Sequence, residues 1–296
     1  MNDSNEARLE LIAVHLDDGQ TNLLKQILID RHRLSTFVGP IEADRISKLR
    51  LEADQCRSLI GQLVLRDIVV RSYRVSPSEL VIQRTSNAKP FISHASVPAD
   101  FDFNVSHDSD WIVVGALLPQ PLSSIDLQRQ QLRQLETESF RFRFGVDVMR
   151  VAVPWADDSV SSFTEIVRTQ LTFREYDWIV ESYSRGQRVI LRRLFAIWTL
   201  KEAYTKATGH GLTTDLRTIE FKVGESTPGQ FNNEIECRVA GLPTHDWTFH
   251  LHDQDAEHIV AIAINIKTCR IPKVQVTNVQ ELLSSDLANH PALQVA

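Results

Sequence analysis

In the segment "LFAIWTLKEAYTKATGHGL", residues 194 to 212, an apolar helical stripe runs into charge. Leu191, Leu194, Phe195 and Trp198 recur at three- and four-residue spacing, which places them on one face of a helix. One further turn brings Lys201 and Glu202, and the next brings Lys206. A Glu–Lys pair four residues apart on a solvated helix contributes only about 0.3 to 0.5 kcal/mol. A carboxylate that continues a stripe of buried aromatics is a different case. Burying it unpaired costs several kcal/mol, so it calls for a cation, either Lys206 or a bound metal. Asp147 is a second acid in an unexpected place, inside the apolar stretch "FGVDVM", where strand propensity disfavours it. Taken alone it reads equally well as an outward-facing strand residue. Two such acids together suggest a hard-metal site, because Mg²⁺ takes few carboxylates and keeps waters and phosphate oxygens. His107 in "FNVSHD" stands among Asn104, Ser106 and Asp108, a cluster of donors and acceptors at a turn. A lone histidine beside a strand is more often structural than catalytic. Arg45, Arg84 and Lys89 are cations able to meet phosphates, though each taken singly is a solvated charge.

The elements that must position these residues follow from periodicity. "RLELIAVHL", "LVIQRT", "FRFGVDVMRVAV" and the two halves of "FDFNVSHDSDWIVVGALL" read as strands, the last pair hinged at the turn chemistry of Ser106 to Asp110. Ile46, Leu49, Cys56, Ile60, Leu63 and Val64 give the apolar face of one or two helices after Pro40. Helices are also expected over 161 to 182 and near 188 to 208, the latter stopped by Gly209 and Gly211. A run of strands closes the pattern. Each half therefore has helix followed by strands, which predicts an α+β chain of two similar halves, 1–118 and 142–271. The Gln- and Arg-rich stretch 119–141 is expected to be an inserted loop, and 272–296 a loosely held tail.

Composition bounds the function. The chain has 296 residues, 43% apolar and 24% charged, with a net charge of -6. That balance argues against a nucleic-acid binder. No apolar run approaches the roughly 18 residues of a membrane span, and "MNDSNEARLE" has neither signal nor transit character. Cys56, Cys237 and Cys269 lack metal spacing and suit a reducing compartment. A cytoplasmic protein is expected.

Taken in order, Lys89-Pro90, "FNVSHD", "FGVDVM" and "WTLKEAYTKATGHGL" resemble the motifs of the 4'-phosphopantetheinyl transferases of the surfactin-synthetase-activating type. The resemblance covers about residues 41 to 266. "LVIQRTSNAKPFI" and "GVDVM" bring it nearest to the animal aminoadipate-semialdehyde dehydrogenase phosphopantetheinyl transferases. It implies an intramolecular pseudo-dimer of two α+β halves with the active site in the cleft between them. It also implies a holo-[acyl-carrier-protein] synthase activity. Phosphopantetheine would pass from coenzyme A to a serine of an acyl, peptidyl or aminoadipate-reductase carrier domain, leaving adenosine 3',5'-bisphosphate. The resemblance puts Mg²⁺ on Asp147 and Glu202, Lys206 on the diphosphate, and Glu202 near the serine proton. Arg45, Arg84, Thr85, Lys89, Asn104, Ser106, His107 and Lys201 would contact coenzyme A, with His107 and Arg45 on its 3'-phosphate. A monomer is expected, with carrier domains as partners and neither nucleic acid nor membrane. The alternative is a non-catalytic coenzyme A or carrier-protein binding module.

The chain departs from the pattern in three places. Met149 stands where many bacterial members have a second acid. Asp108 stands where the animal enzymes have Gln, and would be a third metal ligand. Ala88 replaces the glycine that usually precedes Lys-Pro, restricting that turn. Asp126, in "SSIDLQ", resembles the metal aspartate but lacks the preceding glycine, so Asp147 is the better match.

Overall fold

The structure, a computed structural model, describes residues 7–119, 143–154, 159–211, 214–266 and 270–284. Two compact units form, one from Met1–Phe142 with Thr268–Ala296 and the other from Arg143–Lys267.

The first unit begins with β1 (Ala7–His15), α1 (Asp18–Ile29), α2 (Arg31–Val38), α3 (Pro40–Ser47) and α4 (Glu52–Tyr73). Asp17 and Asp30 cap α1 and α2 by accepting from backbone amides, and Pro40 opens α3 where a missing N–H costs nothing. The strands β2 (Ile82–Arg84), β3 (Pro90–Ile92), β4 (Asp102–Asp108) and β5 (Trp111–Pro119) follow. The β4–β5 hairpin turns at Ser109 and Asp110, with Asp108 opposite Trp111. Leu59, Ile60, Leu63 and Val64 of α4 are fully buried and pack with Ile12, Val14, Ile112 and Val114 of the sheet. Each such side chain contributes roughly 1.5–3 kcal/mol on burial.

The second unit runs β6 (Phe144–Arg150), α5 (Val160–Val167), α6 (Phe173–Val180), α7 (Gln187–Thr208), β7 (Ile219–Thr227), β8 (Gln230–Val239), β9 (Leu242–Pro243), β10 (Thr248–Asp253) and β11 (His258–Ile264). A capping box between Thr172 and Glu175 starts α6, and Gly209, at φ 75, ends α7 in the left-handed region. The core joins Leu194, Phe195, Ile197 and Leu200 of α7 to Ile259, Ala261 and Ala263 of β11.

The α+β architecture is as the sequence predicts, and the units repeat one topology. In the first, β1 pairs antiparallel with β5 and β5 with β4. In the second, β6 pairs antiparallel with β11 and β11 with β10. In each unit the first strand thus lies beside the second strand of a later antiparallel hairpin, whose first strand lies at the sheet edge. In both units a 22-residue helix lies between the first strand and that final hairpin.

The tail differs from expectation. β12 (Gln275–Thr277) pairs in parallel with β1, and α8 (Val279–Ser284) follows it. Val279 and Leu282 are buried in the first unit's core. Polar residues around 272 hide this in the sequence, because a three-residue edge strand carries too little periodicity to read. The expected insertion from residue 120 onward, with Asp126, lies outside the described residues.

Candidate active site

Side chains alternate along a strand, so Gly145, Asp147 and Met149 share one face of β6. Their register partners Ala263, Ala261 and Ile259 belong to the core beneath α7. Small residues let helix and sheet approach closely there. A Cβ on Gly145 would stand 2.0 Å from the carbonyl oxygen of Ala203 and 2.6 Å from the amide nitrogen of Ala207. The glycine two residues before Asp147 therefore lets the backbone of α7 rest on β6, and that contact brings the α7 side chains to Asp147.

Lys206 donates from Nζ to Asp147 Oδ1 at 2.6 Å. The aspartate is almost fully buried, and Lys206 remains partly exposed. Glu202 lies one turn earlier on α7 and is half-buried. Its carboxyl is pushed above the ordinary glutamate range by burial and then by the negative charge of Asp147, against the opposing pull of Lys206. The structure thus brings together three of the residues singled out in the sequence: two carboxylates within one another's field and an ammonium between charge and solvent. Two hard oxygen donors, one of them driven toward its neutral form by burial and by the other's charge, fit a divalent cation such as Mg²⁺. Among the described residues no group of three or more His, Cys, Asp or Glu side chains gathers as a metal site. Asp108 belongs to the first unit and Asp147 to the second. Asp108 ends β4 in the first unit and accepts from Ser109 Oγ at 3.4 Å.

Lys201 departs from expectation. It is 1% exposed, and its Nζ lies 2.6 Å from Glu175 Oε2. The same ammonium donates to the carbonyls of Gln170 and Leu216 at 3.0 and 2.9 Å. Glu175 accepts in addition from the Thr172 and Phe221 amides, each at 2.8 Å. Burial pushes the carboxyl up and the ammonium down, so the pair persists because every polar atom around it is satisfied. Lys201 faces the protein interior. It ties α7 to α6 and β7 and so sets the position of its neighbour Glu202. Sequence reading missed Glu175, although "TFRE" carries the capping-box signal that holds it.

In the first unit, Arg45, Arg84, Asn104 and His107 line one cavity of about 520 Å³. Arg45 is held there by Glu42 at 2.6 Å and by Ser58 Oγ at 2.9 Å. Arg57 and Ser58 line the same cavity, and sequence reading missed both. Arg57 donates to Asp54 Oδ1 and to the Ser109 carbonyl, each at 2.9 Å, linking the start of α4 to the turn just past His107. The spacing of Asp54 and Arg57, three apart on a helix, was the available signal.

Lys89 and Thr85 make contacts within the first unit. Lys89 is buried and pairs with Asp102 Oδ2 at 2.6 Å. Thr85 closes the turn between β2 and β3: its amide donates to the Lys89 carbonyl at 2.9 Å, and its Oγ1 accepts from the Lys89 amide at 3.1 Å. That turn holds Ala88 at φ 64, the conformation for which glycine is the usual choice. Ser106 is buried on the face of β4 opposite His107.

Comparison with known proteins agrees with this geometry. The family described as "4'-phosphopantetheinyl transferase, N-terminal" matches residues 30–118, and the "4'-phosphopantetheinyl transferase superfamily" matches residues 143–263. A phosphopantetheinyl transferase of Thraustochytrium sp. is 31% identical over 237 residues, covering 79% of this chain and 72% of that protein. The 4'-phosphopantetheinyl transferase pptA of Paxillus involutus is 34% identical over 64% of this chain and 66% of its own length. The L-aminoadipate-semialdehyde dehydrogenase-phosphopantetheinyl transferase of Mus musculus is 27% identical over 77% of this chain and 67% of its own length. With Asp147, Glu202 and Lys206 gathered inside the segment that the superfamily matches, the chain belongs to the 4'-phosphopantetheinyl transferases and is a transferase of phosphopantetheine.

Proposed function

We propose that the chain moves the 4'-phosphopantetheine arm of coenzyme A onto a serine of apo carrier domains of the acyl-carrier, fatty-acid-synthase or aminoadipate-reductase type. Adenosine 3',5'-bisphosphate is the second product. The observation that carries this reading is the Asp147–Lys206–Glu202 group on β6 and α7.

Attack on one phosphorus of a diphosphate builds charge on the non-bridging oxygens and the departing phosphate. Asp147 and Glu202 would hold Mg²⁺, which when bound neutralises that charge and fixes the phosphoryl geometry. Lys206 supplies a point charge to the diphosphate. Glu202 takes the serine proton directly or through water. Arg45, Arg84, Asn104 and His107 bind coenzyme A, with Arg45 and His107 on the 3'-phosphate. Thr85 and Lys89 shape the adjoining turn, and Lys201 positions α7.

The test is to incubate apo-carrier protein, coenzyme A and Mg²⁺ with the enzyme and weigh the carrier. A mass gain of one phosphopantetheine arm is expected, absent with Asp147→Asn and retained with Asp108→Asn. A carrier of unchanged mass with the unaltered enzyme would leave only a binding module.

A further inference from the structure

The ammonium of Lys206 is not aimed at open solvent. It sits on Asp147 Oδ1 at 2.6 Å, with the Val146 carbonyl at 3.5 Å, while Asp147 is 4% exposed. The lysine side chain keeps 28% of its surface exposed, so it has room to swing away. A buried carboxylate without a cation is costly, and Lys206 meets that need from within the fold. A divalent cation on the same carboxylate would meet the ammonium at contact distance, where like charges repel strongly in a poorly solvated site.

We propose that Lys206 is a built-in counter-ion of Asp147, displaced when a divalent cation takes that carboxylate and received by the diphosphate of the co-substrate. One lysine thereby serves two partners in turn. Cation and diphosphate favour each other's binding, because each accepts what the other's arrival releases. Lys206 also guards the carboxylate, holding cation affinity low until the anion is present. This inference rests on the reading of Asp147 as a cation ligand.

Direct Mn²⁺ titration, followed by the electron paramagnetic resonance of the free ion, tests it without substrate or turnover. Lys206→Met should bind Mn²⁺ about tenfold more tightly than the unaltered protein, the effect of one lost like-charge contact. Lys206→Arg, which keeps the charge and can grip Asp147 through two donors, should bind no more tightly than the unaltered protein. Lys222→Met removes a surface charge paired with Glu236 at 3.0 Å and should change nothing. An Mn²⁺ affinity of Lys206→Met equal to or weaker than that of the unaltered protein overturns the proposal, as does equal tightening by Lys206→Arg. Asp147→Asn separates the underlying reading: if it binds Mn²⁺ as well as the unaltered protein, Asp147 is not the cation ligand at all.

Discussion

Gly145 lies under the backbone of Ala203, so close that a methyl group on it would overlap the Ala203 carbonyl oxygen at 2.0 Å. The clash is with main chain, which no rotamer change relieves. Gly145→Ala must therefore push α7 off β6 and carry Glu202 and Lys206 away from Asp147. We expect a loss of about 3 kcal/mol or more, at or above the upper end of overpacking costs, measured by denaturant unfolding. Transfer activity should fall further than the loss of folded protein accounts for.

The Glu175–Lys201 pair predicts non-additivity. Either Glu175→Gln or Lys201→Met alone strands a buried partner and should cost about 3–5 kcal/mol. The double variant should cost less than the sum of the two, because neither charge is then left alone. Chemical unfolding of all four proteins gives the coupling energy directly; additive losses would show that the two side chains act independently.

Ala88 at φ 64 is a local strain with a simple remedy. An L-residue in the left-handed region costs roughly 1–2 kcal/mol relative to glycine, partly offset by the greater freedom glycine has when unfolded. Ala88→Gly should raise stability by about 0.5–1 kcal/mol. A thermal melt showing no gain would mean that the turn is held without strain.

His250 and His252 share one face of β10 and stand opposite the buried Ile262 and Val260. Burial lowers the affinity of both rings for a proton; His252 lowers it further at His250, while the Asp253 charge partly opposes the effect at His252. The folded state thus prefers neutral imidazoles, while the unfolded chain takes up protons near the usual histidine value. The unfolded state therefore binds more protons through that range, and stability rises with pH. The histidines contribute fully above the unfolded value near 6.5, and the contribution is lost as pH falls through their lowered folded values. Replacing both with Gln should flatten the stability profile between pH 7 and 5; an unchanged slope would assign it to other groups.

Much of the site was legible because its residues break local rules. Asp147 in an apolar strand and Glu202 beyond an aromatic stripe stand out against their neighbours, and the fold brings them together. Lys201 misled for the same reason. A charge in an apolar stripe signals a partner, but not whether that partner is a ligand or a buried glutamate distant in sequence. Arg57 escaped notice because an arginine on the first turns of a helix is ordinary until the loop it holds is known. The two-unit pattern was legible from helix-then-strand order. The pairing of β12 with β1 was not, since it joins three residues to a strand more than 260 positions earlier.

That late pairing bears on the order of events at the ribosome. Along the chain the second unit is an insertion into the first, whose sheet is completed only by Gln275–Thr277 and whose core receives Val279 and Leu282. The Val279 amide reaches back to Gln20 Oε1 at 3.2 Å, across 259 positions. The nascent chain can therefore finish its second unit while its first still waits for an edge strand. A premature stop near residue 270 would damage the half that was synthesised earliest, exposing the flank of β1 as a free edge for intermolecular pairing.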